Sequence, residues 1–263
     1  MLLGLWLDLP VWLIFATLAA LFLGLVGLIC LVSNLRPTRQ ALLGVSAGVV
    51  APYFSSISVL LALLTGFVAN DAWERQRSAA RTVQTERANI VAVHDLSIAT
   101  VSDMADIRGA LIAYVDALIE DEWPRMMDGD SSPRAGLALS TLMRLVADPS
   151  HETASGAAAH AALLNAVVAL RNARGERLAL SDTQSDQSKW LNLLVLAGLT
   201  LVGLALVHME KPRAQATTML IFSLAVVVTL GVIALHERPF DGPMAISSAP
   251  LKAAKTSMAA RSP

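Results

Sequence analysis

The chain of 263 residues is 55% hydrophobic and only 16% charged, which is far more apolar than an ordinary soluble domain. Its 20 Lys and Arg residues and 21 Asp and Glu residues leave a net charge of -1, without the block of basic residues typical of nucleic-acid-binding proteins. Cys30 is the only cysteine, which excludes an intramolecular disulfide and a multi-thiolate metal site. The composition indicates an integral membrane protein that does not bind nucleic acid.

The first predicted element is a transmembrane helix over residues 11–32, which carry no charge. At about 1.5 Å per residue, this stretch is long enough for a hydrocarbon core of about 30 Å. Residues 41–70 form the next run free of Asp, Glu, Lys and Arg, and most of this run predicts a second span. We therefore expect a hairpin of two transmembrane helices over residues 1–70.

The second span is rich in small and hydroxyl-bearing residues, and this composition has two interpretations. Small residues such as Gly44 allow close helix packing in lipid. Hydroxyl groups and the carbonyl freed by Pro52 instead favour a helix that lines a wet pathway, with Tyr53, Phe54 and Ile57 as an apolar constriction that gates by dewetting. The candidate pore-lining and gate residues are Gly48, Pro52, Tyr53, Phe54, Ser55, Ile57, Ser58 and Thr65.

Residues 71–189 carry charges throughout and predict a helical extramembrane domain. Apolar residues recur at intervals of three and four and define one helical face, which is expected to be buried. This helix should end near Trp123 and Pro124. The residues of its buried face are Met104, Ile107, Leu111, Tyr114, Val115 and Leu118.

Two more helices are expected in this domain. Ser132 and Pro133 have the residue types of an N-cap and a first helical position, and they predict a short helix that is closed around Asp148 and Pro149. An alanine-rich helix then runs over about residues 152–180.

The last two spans are predicted over residues 190–207 and 217–235, which form a second hairpin over residues 190–235. The tail, residues 236–263, is rich in Pro, Ser and Ala and is expected to be disordered beyond about residue 250. The predicted fold is an all-α integral membrane protein with four transmembrane helices, paired two and two around a helical extramembrane domain.

The orientation follows from the basic residues of the two short loops. These loops carry Arg36, Arg39, Lys211 and Arg213, so counting by the positive-inside rule assigns them to the cytoplasm and the central domain to the extracytoplasmic side of the cell (inner) membrane. The four arginines of residues 75–87 argue for the opposite orientation.

Arg171, Arg174 and Arg177 lie three residues apart on the helix that leads into the third span. They are candidates for a vestibule that concentrates anions. The alternative interpretation is a solvated stripe that pairs with acids such as Glu74 or Glu86.

Glu120, Asp121 and Glu122 form an acidic cluster near the C-terminus of a helix, where acids oppose the helix dipole. This makes them weak candidates for a cation site. The sequence contains no calcium-binding loop pattern, and the histidines have no metal-ligand spacing, so no metal site or cofactor is predicted.

Four short segments of the chain resemble the bacterial bestrophin-like membrane family, and more distantly the bestrophin channels. They are the exit of the second span over residues 67–75, residues 120–124, residues 171–178 and residues 238–242, and the similarity runs from the first span to about Pro250. The resemblance implies a homo-oligomeric fold, with a pentamer favoured, in which the second span lines the pore. The family-motif residues are Phe67, Asn70, Trp73, Glu74, Arg75, Trp123, Pro124, Arg238, Pro239 and Phe240.

The leading hypothesis is a homo-oligomeric, bestrophin-like ion channel that conducts anions, with membrane lipid, small inorganic ions and copies of itself as partners. The alternative is a non-conducting membrane sensor or scaffold whose central helices bind a partner. No catalytic motif is present, so an enzyme is not predicted. A secondary transporter is disfavoured because the predicted spans contain no Asp, Glu, Lys or Arg for coupling to protons or ions.

Overall fold

A computed structural model describes residues 2–46, 51–99, 104–182 and 187–261, with only the backbone described at residues 2, 36, 45, 51–54 and 154. Every regular element in these ranges is a helix. The chain divides into two compact units. We call residues 1–74 and 185–237 the membrane unit, and residues 75–184 and 238–263 the extramembrane unit.

The membrane unit begins with α1 (Leu2–Leu7), α2 (Val11–Asn34) and α3 (Arg36–Ser46). It also contains the first half of α4 (Ala51–Ala99), together with α10 (Gln187–Val207) and α11 (Pro212–Leu235). Four of these helices, α2, α4, α10 and α11, are long and apolar enough to cross a membrane. The predicted all-α fold with four spans is confirmed.

The uncharged stretch of the second span is helical on both sides of a gap in the description. Its first residues belong to α3 (Arg36–Ser46) and the rest belong to α4 (Ala51–Ala99). Residues 47–50 lie outside the described residues.

The core of the membrane unit lies between α2, α4, α10 and α11. Phe22 of α2, Leu61 of α4, Leu193 of α10 and Met219 of α11 are buried in it. α2 and α11 approach each other closely at Gly231, where an added Cβ would overlap the ring of Phe15 on α2. Only glycine therefore fits at Gly231 without a shift of the ring or of the helices.

The buried polar side chains of α2, α10 and α11 are uncharged, and all but Ser223 have hydrogen-bond partners; Ser223 Oγ has none among the described residues. Gln215 Nε2 of α11 donates to the carbonyl of Ala205 at 2.8 Å, and its Oε1 accepts from Ser33 Oγ of α2 at 3.3 Å. Thr200 Oγ1 donates to the carbonyl of Leu196 in its own helix. These hydrogen bonds satisfy groups that would otherwise be costly in lipid.

The extramembrane unit contains the second half of α4 and α5 (Ala105–Ala117), followed by a π-helical turn (Leu118–Glu122), α6 (Trp123–Arg125) and a 3-10 turn (Met126–Asp128). It continues with α7 (Pro133–Val146), α8 (Pro149–Ser155) and α9 (Ala157–Ser181). The helical face predicted from the period of three and four is fully buried in the core of this unit: Met104, Ile107, Leu111, Tyr114, Val115 and Leu118 have no exposed surface.

The predicted start of α7 is also observed. Ser132 Oγ accepts from the backbone N–H of Ala135 at 3.0 Å, and Pro133 is the first helical residue. Asp148 does not only end this helix; it caps α8, where its carboxylate accepts from Ser150 N–H at 2.9 Å. The expected long alanine-rich helix begins only after Gly156, which adopts φ +84° between α8 and α9.

The expected disorder beyond about residue 250 is wrong, because residues 249–261 form α12 (Ala249–Arg261). Leu251, Ala254 and Met258 lie three and four residues apart and are buried in the core of the extramembrane unit. Lys255 also contacts the carboxylate of Asp116 at 2.6 Å. Burial of one apolar face offsets the weak helix signal of a Pro- and Ser-rich tail.

Candidate functional site

The candidate pore residues are distributed around α4. Gly48 lies outside the described residues, and of Pro52, Tyr53 and Phe54 only the helical backbone is described. Ser55 and Ser58 are exposed, whereas Ile57 and Thr65 are half-buried within the membrane unit.

One face of α4 packs into the membrane unit and the opposite face does not. Leu61, Val68 and Ala72 are buried, and they recur at seven and four residues on one side of the helix. Val59, Leu63 and Phe67 recur at four residues on the other side and are more than half exposed. Ser55 also lies on this outer side, so one hydroxyl-bearing candidate and three large apolar residues share a face.

The four spans are covered by the rest of the chain to different extents. In the most apolar window of α4, 17% of the residues are buried, compared with 39% in α10 and 44% in α11. The value for α2 is 22%. The rest of the chain therefore covers α2 and α4 less than it covers α10 and α11.

The exit of the second span, residues 67–75, is mainly a surface segment. Phe67, Asn70, Trp73 and Glu74 are exposed, and Arg75 is half-buried. Asp71, which lies in the same segment, contacts Lys189 Nζ at 2.8 Å and ties α4 to α10 within the membrane unit.

The best-formed polar site of the structure is a cluster of five side chains in the extramembrane unit, which we call the buried ion cluster: Glu86, Tyr114, Glu122, Arg174 and Arg177. Arg177 Nε donates to Glu86 Oε2 at 2.6 Å, and its Nη2 donates to Glu122 Oε1 at 2.6 Å. Glu86, Glu122 and Arg177 are fully buried. Two glutamates and two arginines give the cluster no net charge if all four are ionised.

The remaining contacts satisfy the other lone pairs and donors. Tyr114 Oη donates to Glu86 Oε1 at 2.7 Å, and Arg174 Nε lies 3.1 Å from both oxygens of Glu122. Arg177 also lies over the ring of Trp123, with 5.8 Å from its Cζ to the ring centroid. Arginine suits this position because its planar fork bridges two carboxylates and its face packs against an aromatic ring.

Burial and neighbouring charges act on the cluster in opposite directions. Burial alone would raise the pKa of Glu122, but hydrogen bonds and positive charge from Arg174 and Arg177 bring it below its ordinary value. Burial and the adjacent Glu86 carboxylate raise the pKa of Tyr114 well above its ordinary value, so its phenol keeps its proton and donates. For Arg177, burial opposes ionisation, but Glu86 and Glu122 raise its pKa overall. These shifts keep Glu122 and Arg177 ionised and Tyr114 neutral at neutral pH.

The three arginines predicted to act together are in different environments. Arg177 is buried and paired with Glu86, a partner that the sequence suggested, although the pair is not solvated. Arg174 is only partly buried and pairs with Glu122. Arg171 is exposed and makes no ion pair with any described residue. Their spacing placed them on one helix but carried no information on which of them is buried.

The acidic cluster is likewise divided among several partners. Glu122 binds the two arginines, Asp121 accepts from Arg125 Nε at 3.0 Å and also contacts Ser132, and Glu120 lies 3.9 Å from Arg134. The π-helical turn bears all three acids. No group of three metal-ligating side chains occurs within the described ranges.

Two of the segments that carry the family resemblance meet in the extramembrane unit. The rings of Trp123 and Phe240 pack edge to face with centroids 5.9 Å apart. Arg238 contacts Asp241 at 2.6 Å, and the carbonyl of Pro239 accepts from Ile246 N–H at 2.8 Å. Pro124 is exposed at the start of α6. Sequence reasoning missed that Trp123 also covers Arg177, since the two are 54 positions apart.

Comparison with known proteins supports this architecture. A family model described as the bestrophin-like domain matches residues 20–251. No curated protein sequence matches the chain.

Several solved structures share the fold. A crystal structure of a membrane protein variant is 12% identical with a TM-score of 0.74, covering 93% of this chain and 97% of that chain. A variant of a bacterial bestrophin homologue from Klebsiella pneumoniae is 13% identical with a TM-score of 0.72, covering 90% and 97%. A second variant of that homologue is 14% identical with a TM-score of 0.73, covering 91% and 97%. With four membrane-spanning helices and a family match over most of its length, the chain is a membrane protein that belongs to the bestrophin-like family.

Proposed function

We propose that the protein is a homo-oligomeric ion channel that conducts anions, with α4 lining the pore. The observation that carries the proposal is the outer face of α4, where Ser55, Val59 and Leu63 remain uncovered by the rest of the membrane unit. Four spans in one chain are too few to enclose a pore together with its packed core, so this face needs further copies. Membership of the bestrophin-like family supports the same arrangement, and a pentamer is the assembly we favour.

Hydroxyl and apolar groups on one helical face suit a pathway that is wet in one part and narrow in another. A hydroxyl such as that of Ser55 offers both a donor and an acceptor to a partly dehydrated ion. Large apolar side chains such as Val59 and Leu63 would form rings that exclude water unless the pore widens. The sequence-based gate of Tyr53, Phe54 and Ile57 stays a prediction of the same kind, one turn earlier in α4.

Anion preference rests on the absence of acids from the outer face of α4 and on positive charge elsewhere in the chain. No Asp or Glu lies between Ser55 and Asn70. Of the three candidate arginines, Arg174 and Arg177 are balanced by Glu122 and Glu86, so Arg171 is the one that would attract anions over a distance. We propose that the protein lies in the cell (inner) membrane and that its extramembrane unit is on the extracytoplasmic side.

The direct test is flux through purified protein in liposomes, with chloride and potassium gradients measured separately. We expect a chloride flux that exceeds the potassium flux and a reversal potential that follows the chloride gradient. Equal or larger potassium flux would overturn the anion assignment. Absence of both fluxes, with the protein shown to be oligomeric, would favour the non-conducting scaffold.

A second test locates the pathway with matched cysteines in a Cys30→Ala background. Leu63 on α4 and Leu224 on α11 are both leucines of spanning helices, with 54% and 66% exposure. A charged, membrane-impermeant thiol reagent should block the current through Leu63→Cys because a pore face is wet. It should not affect Leu224→Cys if that face contacts lipid. Block at both positions, or at Leu224→Cys alone, would contradict the assignment of α4.

A further inference from the structure

The extramembrane unit contains an open cleft between α7 and α9, with a volume of about 610 Å³. Leu137, Leu139 and Met143 of α7 supply apolar walls, and Arg171 and Arg174 of α9 supply two guanidinium groups. Small-molecule sites have volumes of roughly 300–1,000 Å³ and combine apolar walls with a few convergent polar groups. The cleft has both properties.

The electrostatics of the cleft are one-sided. Arg171 makes no ion pair with any described residue, in contrast to the two other arginines of its helix. No acidic side chain is among the described residues that line the cleft. An anion in the cleft would therefore be attracted by the charge of Arg171, which no acidic side chain among the described residues neutralises.

Arg174 adds a second donor to the same space. Its Nε and Nη2 atoms are used by Glu122, whereas Nη1 lies 3.7 Å from the position of a Cβ on Gly136, which lines the cleft. Glycine at this position leaves the guanidinium uncovered. An alanine Cβ would fit at ordinary van der Waals distance and would shield it.

The apolar walls narrow the choice of anion. Leu137 is 70% exposed, the highest value among the large apolar side chains described as exposed. A monatomic ion would occupy a small part of the cleft and leave this surface in water, whereas an alkyl chain would cover it. A planar carboxylate also matches the two parallel N–H donors of an arginine.

We propose that the cleft between α7 and α9 binds a small amphipathic carboxylate, whose head group pairs with Arg171 and whose alkyl chain packs on Leu137 and Met143. This site is separate from the proposed pore in the membrane unit. Its occupancy is measurable whether or not the protein conducts ions.

The test uses the full-length assembled protein in a Cys30→Ala background and hexanoate as the probe. The readout is the rate at which a thiol reagent modifies a Ser140→Cys side chain, because Ser140 is exposed, lines the cleft and leaves both apolar walls intact when it is replaced. Thr153→Cys, exposed on α8 and outside the cleft, is the matched control for partition of the probe into detergent. We expect hexanoate to slow modification at residue 140 and to leave that at residue 153 unchanged.

Variants of the arginine separate specific binding from partition. Arg171→Gln should weaken protection by hexanoate roughly tenfold or more, because it removes a charge-assisted hydrogen bond. Arg171→Lys should give an intermediate effect, since it keeps the charge but loses the fork. Gly136→Ala should weaken protection while the protein remains folded, as alanine is favourable inside a helix.

Other probes define the results that would overturn the proposal. Hexanol should protect much less than hexanoate, and acetate only at much higher concentration. Equal protection by hexanol, or unchanged protection in Arg171→Gln, would show that no carboxylate site exists. A Ser140→Cys side chain that is unreactive without any probe would overturn the proposal by showing that another copy of the chain covers the cleft.

Discussion

The two units of the protein differ in the kind of side chain that each exposes and the kind that each buries. Among the described large apolar side chains that are exposed, all but five lie in the membrane unit; the exceptions are Ile112, Met127, Leu137, Val168 and Met244. Conversely, the extramembrane unit encloses a fully buried ion pair and its partners, whereas the buried polar side chains of α2, α10 and α11 are uncharged. The difference reflects the surroundings of each unit. In lipid, exposed apolar surface costs no free energy, whereas a charged side chain costs more than it does in water.

This comparison indicates where sequence patterns are informative in each unit. In the extramembrane unit, apolar spacing identifies the core, because only one face of each helix avoids water. In the membrane unit, apolar residues occur all round each helix, and the polar and small residues mark the contacts. Gln215 and Gly231 are examples of such contacts.

The largest loss of stability is expected at the centre of the buried ion cluster. Arg177→Met should lower the free energy of unfolding of the extramembrane unit by about 3–5 kcal/mol, because Glu86 and Glu122 would remain buried with one cation fewer. Chemical unfolding followed by tryptophan fluorescence is a suitable measurement, since Trp123 lies against the guanidinium. The matched control is Arg171→Met on the same helix, which should change the free energy by less than about 0.5 kcal/mol. Similar effects of the two substitutions would contradict the assigned role of the cluster.

The next effect concerns the C-terminal helix. Leu251→Ala should cost about 2–5 kcal/mol, because the side chain is fully buried in the core of the extramembrane unit. Lys252→Ala, one residue further along and exposed, serves as the control. If the tail were disordered, the two variants would unfold at the same denaturant concentration.

A smaller effect is expected inside the membrane unit. Gln215→Leu removes the hydrogen bonds to Ala205 and Ser33 and should cost roughly 0.6–1.7 kcal/mol, the range for polar contacts between membrane helices. Thr217→Val is the control, because Thr217 is exposed and its hydroxyl donates only to Arg213 within its own helix. The experiment is reversible unfolding in mixed micelles. If Gln215→Leu lowered the free energy of unfolding as much as Arg177→Met does, buried polar contacts would contribute equally in the two units, contrary to this prediction.

The smallest effect is a response to mild acid that is confined to the extramembrane unit. The pKa of Glu122 is lower in the folded protein than its ordinary value of 4.5, so the stability it contributes is complete above that pH and is lost as the pH falls further. Hydrogen exchange in α9 should therefore increase from about pH 4.5 downward after correction for the intrinsic rate. Exchange in α2, whose buried residues carry no ionisable group, should not change in the same way. A steeper response in α2 would be inconsistent with this assignment.

Much of the fold follows from local signals in the sequence. The uncharged runs locate the spans, and the period of three and four places Ile107, Leu111 and Tyr114 in the core. Ser132 and Pro133 identify the correct first residue of α7, because capping is a short-range interaction. These predictions need no information about distant parts of the chain.

Long-range contacts account for what was missed. The partners in the buried ion cluster are separated by as many as 91 positions, and Arg177 lies among other charged residues in the sequence. Nothing local distinguishes Arg177, which is buried, from Arg171, which is exposed. Likewise, α12 forms because its apolar face finds a core made by other helices, and composition alone does not report that core.

The contact between Gly231 and Phe15 has a consequence for how this family varies. A methyl group at residue 231 and an aromatic ring at residue 15 exclude each other, since both would occupy the same volume between α2 and α11. Among relatives, the two positions should therefore change together. Chains with alanine or a larger residue in place of Gly231 should carry a small side chain in place of Phe15, and unlinked changes at this pair should be rare.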